Sequence, residues 1–488
     1  MKRTLQLATV GFWAVMVLLL VRKQSSEPGA SVARLPEARL TEHDEWFGVY
    51  RDGRKIGHAH RITARTAGGY AFDEESAFSM AMLGTPQSLR TSLHTETDQS
   101  FTLQSFRFAL LSPATSFSAQ GESDGKQLVV TYGAAGQAAN HLTLPLKEPI
   151  SLPSTLRPRI LAAHDPPGTT YTLPVFNPLT MQNAPMTVTV EGRETVAGPD
   201  GPVETVRLAE EHHGVRARAW IESDGTVLRE EAALGFTLER ESREKATARP
   251  PGDAPVDLAL SSRIPLEGRV VDPRNAERLT LRMGGPAAAR VPDDPPRQRV
   301  SADLLSISRE TVPDAQTLAD EASAARDATL APYLAPSPFI ESDDPGIVAA
   351  AREAVGDERD ATAAARRLVA WVNEYVRKEP SLTIPSAREV LQSRRGDCNE
   401  HAVLLTALAR AAGIPARMVA GAMLVENAFF YHAWTELWLG RWISADAVFN
   451  QLPTDVTHVK LADGSPEHMM DLAGTIGNLT FRTEEAQR

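Results

Sequence analysis

The sequence predicts an α+β protein in three parts: an N-terminal transmembrane helix, a large antiparallel β domain and a C-terminal α+β core. Three observations carry this. An uncharged apolar run opens the chain. Apolar and polar residues alternate through the middle, with Asp-Gly and Gly-Gly turn signals. Near the end, apolar residues at helical spacing surround Cys398, the only cysteine among 488 residues.

Residues 4–21 carry no charge and lie between Lys2-Arg3 and Arg22-Lys23. As a helix the run spans about 27 Å, close to the roughly 30 Å hydrocarbon core of a bilayer. The nearest small-residue cleavage site, Ser31-Val32-Ala33, lies beyond Arg22-Lys23. An uncleaved anchor therefore fits better than a cleaved signal peptide. Residues 1–23 read as a signal anchor and 24–42, mixed without period, as a linker. The expected location is the cell inner membrane, single-pass, with the bulk of the chain periplasmic.

Residues 43–250 read as the antiparallel β domain. Trp46–Tyr50 and Ile56 onward flank Asp52-Gly53, a hairpin signal. Gly68-Gly69, Asp124-Gly125, Asp200-Gly201 and Asp224-Gly225 repeat it. His58 and His60 share a strand face and His212-His213 sit near a turn. Neither pair has a third ligand at useful spacing, so both read as solvated histidines, not metal sites. Pro250-Pro251-Gly252 begins a proline-punctuated stretch, and 251–335 reads as a connector with short strands.

Residues 336–488 read as the catalytic domain. Asp343-Asp344-Pro345 opens one helix, and Leu368, Trp371, Val372, Tyr375 and Val376 form the apolar stripe of another. Ser386-Ala-Arg-Glu389 is a capping box. Asp397 then caps a helix beginning at Cys398 and ending near Gly413-Ile414-Pro415. A thiol in a first helical turn feels the positive end of the dipole, which favours the thiolate.

A cysteine nucleophile needs a base, and the base needs a group to orient it. The histidines after Cys398 are His401, His432, His458 and His468. His401, one turn along the same helix, leaves little room for substrate. His432 opens a strand, and Asp446 lies on the next one. The two share a face only if the turn between them is odd-length or bulged. A three-residue turn, Leu439-Gly440-Arg441, would set Trp434 against Asp446, with His432 diagonal to it.

Gly396-Asp-Cys398-x-Glu-His-Ala402, then Ala412-Gly-Ile-Pro-Ala-Arg417, His432-Ala-Trp-x-Glu436 and Trp442-x-x-x-Asp446 closely resemble the catalytic core of the transglutaminase-like superfamily. That superfamily shares its thiol chemistry with papain-like proteases. The resemblance covers roughly residues 360–460 and implies Cys398 as nucleophile, His432 as general base and Asp446 as the residue orienting the imidazole. Taken with the apolar run 4–21, it points to a membrane-anchored bacterial member acting on a protein or peptide; thiol chemistry of this kind requires no cofactor or metal, although some relatives depend on calcium. The family usually follows the aspartate with Pro-Thr; here Ala447-Val448 stands there. Asp455-Val-Thr-His458-Val-Lys460-Leu also resembles a segment of bacterial members.

The expected function is thiol-dependent acyl transfer on amide or peptide bonds through a thioester, by a peptidase, amidase or transglutaminase at the cell envelope. Two alternatives stand beside it: a non-catalytic binding module that keeps the fold, and a β domain that binds lipid or lipoprotein as the main functional part. A formal net charge of −11 argues against a nucleic-acid partner. A single cysteine excludes intramolecular disulfides and multi-thiolate zinc sites.

Overall fold

The alternating middle region folds as one antiparallel sheet of fourteen strands. The structure, a computed structural model, describes residues 40–488 apart from 114–115, 136–138, 200, 213–214, 233–234, 249–254, 314–327, 382–384, 465–471, 473 and 488. Eight strands run as a meander from His43–Arg51 to Asn140–Pro145, and six more from Thr170–Asn177 to Phe236–Glu241. The first and last strands close against each other, with Trp46 opposite Glu241 and Arg51 opposite Phe236. Asp52-Gly53 makes the two-residue turn between Arg51 and Arg54.

The short helix Arg157–Ala162 lies between the two halves and packs Leu156 and Ile160 into the sheet's apolar face. Ion pairs tie it down. Arg157 forks onto Glu210 at 2.7 and 2.9 Å and also reaches Glu230. Arg61 forks onto the same Glu230 at 2.6 and 2.9 Å. Burial works against the Glu230 carboxylate, but the two guanidiniums hold it well below the usual range.

The stretch expected to be a connector is part of a second sheet. In spatial order its strands are Gln298–Ser301, Leu304–Ser308, Arg278–Gly284, Thr480–Gln487, Ile264–Glu267, Ala428–Trp438, Ala416–Val425 and His458–Gly464. Trp442–Ala445 pairs with Ala428–Trp438 to one side. Residues 264–308 thus extend the sheet that carries His432. Helices Pro345–Val355, Ala361–Tyr375 and Ala387–Ser393 surround helix Cys398–Ala411, and all four share one apolar core with this sheet. Asp344, Asp360 and Ser386 cap the three surrounding helices.

Two expectations are corrected. Among the described residues the protein is mainly β, with 51% in strands and 19% in helix, rather than α+β with a transmembrane helix. The strands added at 264–308 are four to seven residues long and fall within the stretch read as a connector with short strands; their joining the sheet that carries His432 depends on pairing with distant residues. The single-pass inner-membrane location is overturned as well, since no helix among the described residues is long and apolar enough to cross a membrane. The apolar run 4–21 lies outside the described residues; its hydropathy sets the length of a possible helix and does not establish one.

Removing one partner of a buried ion network leaves the others charged and unpaired. Glu230→Gln is expected to lower unfolding free energy by about 3 kcal/mol, as measured by urea denaturation. A change within about 0.5 kcal/mol would mean that the network does not hold the helix to the sheet.

Candidate active site

Cys398 is the first residue of its helix. The Asp397 side chain accepts from the Asn399 N–H at 3.0 Å, and Glu400 Oε2 accepts from the Asp397 N–H at 2.8 Å, a complete capping box. Gly396 makes room for this. It has φ +153°, and a Cβ there would meet the Glu400 side chain at 2.2 Å. Ala402 to Arg410 are all buried, so the helix is fixed on every side.

The helix leans on the strand Ala428–Trp438. Thr435 Oγ1 donates to the Ala402 carbonyl at 3.2 Å. The half-buried thiol of Cys398 lies against the backbone N–H of Ala433, the residue after His432. Burial, then the Asp397 carboxylate, push the thiol well above its ordinary value, and the Ala433 N–H works against them. This corrects the expectation from the dipole alone. The helix start is also the site of two carboxyls, and burial outweighs the dipole.

The turn after Trp438 is the three-residue one. Trp438 pairs with Trp442 and Thr435 with Ala445. Leu439 donates to the Arg441 carbonyl at 2.9 Å, and Gly440 takes φ +81°. One step further, this register sets Trp434 against Asp446 and puts His432 on the face of the carboxylate. His432 Nε2 lies 2.7 Å from Asp446 Oδ2. A carboxylate can only accept, so Nε2 carries the proton, and Nδ1 is left as the basic nitrogen.

Asp446 is buried. Its Oδ1 accepts the Val448 N–H at 2.7 Å and the Phe449 N–H at 3.4 Å. Ala447-Val448, the departure from Pro-Thr, thus supplies a backbone donor to the carboxylate. Asn373 holds this loop through the carbonyls of Ala447 and Val448 at 2.8 and 2.9 Å. Oδ2 accepts a second imidazole, His458 Nε2, at 3.0 Å. Burial alone would raise Asp446, but the two histidines hold it far below the usual carboxylate range.

His458 is the residue the sequence reading passed over. The sequence offers it only as one of four candidate bases, and the Asp455–Leu461 segment is the signal that points to it. His401 Nδ1 donates to the Asp397 carbonyl at 2.6 Å, within its own helix start. His468 lies outside the described residues. Glu436, which ends the His432-Ala-Trp-x-Glu motif, bonds Lys460 at 3.0 Å and Arg417 at 2.7 Å. Trp434 is buried, near-parallel to the His432 ring at 6.2 Å and edge-on to His458 at 5.2 Å. The half-exposed Phe449 covers the His432 ring at 5.8 Å.

Donor atoms of His432, Asp446 and His458 lie within 4.8 Å of one another, the one such group that could hold a metal ion among the described residues. Separations of 2.7 and 3.0 Å to one carboxylate oxygen are hydrogen-bond lengths, with each imidazole donating. The pairs in the β domain do not form such a cluster. His60 bonds Asp44 at 2.7 Å and stacks on Trp46, and His58 is a strand-face residue tilted against the same Trp46 ring. His213 lies outside the described residues.

Residues 348–447 match the transglutaminase-like superfamily, so the chain carries a transglutaminase-like domain there. A comparison with curated proteins finds no match. Among solved structures, the chain is similar to a "Putative Cysteine Protease" from Cytophaga hutchinsonii, at 18% identity over 43% of this chain and 86% of that one, with a TM-score of 0.30. A beta-barrel-like protein of DUF1849 from Brucella abortus is 13% identical over 42% of this chain and 96% of that one, with a TM-score of 0.32. A DUF1089 family protein from Pseudomonas aeruginosa is 10% identical over 35% and 87%, with a TM-score of 0.23. Scores this low carry no argument about this chain.

Asp446 and Asp455 raise the pKa of His458 against the opposing effect of burial. Its unfolded value is about 6.5. A raised folded value means that its stabilisation is complete below pH 6.5 and lost as pH rises through the folded value. Unfolding free energy should therefore decline as pH rises above about 6.5, and His458→Gln should flatten that decline in pH-dependent urea titrations. An unchanged slope would contradict the charged state of His458.

Proposed function

We propose that the chain is a thiol-dependent acyl-transfer enzyme acting on amide or peptide bonds of a protein or peptide. Cys398 is its nucleophile, His432 its general base and Asp446 the group that orients His432. The observation that carries this reading is the 2.7 Å bond from His432 Nε2 to Asp446, on a strand whose next amide touches the Cys398 thiol. It leaves His432 Nδ1 as the nitrogen able to take the thiol proton.

The raised thiol sets the order of events. Cys398 rests as a thiol, so its proton passes to His432 Nδ1 as sulfur attacks the carbonyl carbon. The C–S bond forms and the carbonyl π pair moves to oxygen. The Cys398 N–H, in the first helical turn, has no intrahelical acceptor and serves as an oxyanion donor. The tetrahedral species collapses as the C–N bond breaks, and His432 gives its proton to the departing amine. Water or a second amine then attacks the thioester, again through His432, and regenerates the thiol. Asp446, with both oxygens occupied by donors, keeps the imidazole in one tautomer throughout.

One observation favours the non-catalytic alternative. A half-buried thiol pushed upward is what an inert cysteine also shows. The lipid-binding alternative called for a deep apolar cavity in the β domain. The larger cavities of the β domain, about 440 and 420 Å³, are lined by polar and charged as well as apolar residues, with Arg107, Gln120 and Tyr132 in one and Lys55, His58 and Arg90 in the other.

Product analysis on diverse peptides, with and without added amine, separates the readings. Cleaved, deamidated or amine-linked product is expected from the natural chain, with Cys398→Ala at least ~10³-fold slower. If no product depends on the thiol across the library, the binding-module reading replaces this one.

A further inference from the structure

We infer that His458 is a positioning residue for this site, a second imidazole that grips Asp446 opposite His432 and completes a chain Asp455–His458–Asp446–His432. The inference rests on the proposed function for its kinetic consequence, but not for its geometry.

His458 enters from a third strand, where it pairs with Met423. It is fully buried, and both ring nitrogens face carboxylates. Nε2 lies 3.0 Å from Asp446 Oδ2 and Nδ1 lies 3.2 Å from Asp455 Oδ1. Each carboxylate accepts, so both nitrogens carry protons and the ring is an imidazolium. Asp455 is itself anchored. Its Oδ1 accepts the Thr457 N–H at 3.0 Å, and its Oδ2 accepts Gln451 Nε2 at 3.0 Å. Arg297 clamps the turn, donating to the Asp455 carbonyl at 2.7 Å and the His458 carbonyl at 3.4 Å. Those contacts fix the ring.

The arrangement does two things for His432. It holds Asp446 Oδ2 in place, so that the 2.7 Å bond to His432 Nε2 keeps its direction. It also sets a cation beside Asp446, with the two rings 5.6 Å apart. An unaccompanied Asp446 would stabilise a charged His432 more strongly. With His458 charged, Asp446 is shared between two donors and still orients His432 through its Nε2. The other ionisable groups bearing on the pair are Cys398 and His401 from the helix and Arg274, which lies over Phe449 and reaches Asp455 Oδ2 at 3.4 Å. None of them bridges Asp446.

The test is an NMR titration of ¹³C-labelled histidines in the full chain, comparing the natural sequence with His458→Asn and with Asp455→Asn. Removing the cation should move the His432 midpoint up by about one pH unit in His458→Asn. A smaller shift in the same direction is expected in Asp455→Asn, which leaves Asp446 and His432 untouched. In the peptide assay, kcat should fall roughly 10-fold with KM nearly constant, and the acidic limb of the pH profile should move with the midpoint. An unmoved His432 midpoint in a folded variant overturns the inference, whatever the activity. If His458→Asn does not fold, Asp455→Asn alone decides it by the same midpoint. A natural chain without thiol-dependent product, but with the midpoint shift, would sink the proposed reaction and leave the positioning role standing.

Discussion

A buried carboxylate stays ionised only where enough donors replace the water it has lost. Asp446 has four: two backbone amides on Oδ1 and two imidazoles on Oδ2. Much of the C-terminal architecture serves to bring them there. The three-residue turn at Gly440 puts Asp446 on the face of His432. Pairing of Met423 with His458 brings in the second ring across two strands. Asn373 and Arg297 hold the two loops through their backbone carbonyls. One residue of register slip at either strand pair would point an imidazole away from the carboxylate.

The cysteine is positioned by different means. Its helix is packed on every side and capped twice at its start, so Cys398 has almost no freedom to approach or leave the strand. The same burial withholds the easy thiolate that a helix start would otherwise favour. On the proposed mechanism, the site depends on its base more heavily than a solvent-open thiol would. The sharing of Asp446 between two rings is where that dependence is tuned.

Local features were legible in the sequence. Asp397, Cys398 and Glu400 lie within one helical turn, and His432 and Asp446 are joined by a single hairpin whose parity could be counted. Features that depend on distant pairing were not legible. His458 reaches Asp446 only through a sheet register set by Ala416–Val425. The short strands at 264–308 join the sheet of His432 only because the C-terminal Thr480–Gln487 lies between two of them. The contact of Arg61 with Glu230 spans 169 residues, and no spacing rule connects them. The rise in the Cys398 pKa is a consequence of burial, which the motif does not encode.

The central claim is that Cys398 forms an acyl intermediate with the help of the His432–Asp446 pair. Intact-mass analysis of acid-quenched protein, taken early in reaction with a peptide mixture, tests it most directly. The account predicts an acyl adduct mapping to Cys398 in the natural chain and lost in His432→Ala. An adduct that forms equally without His432, or no adduct on Cys398 at all, would contradict it.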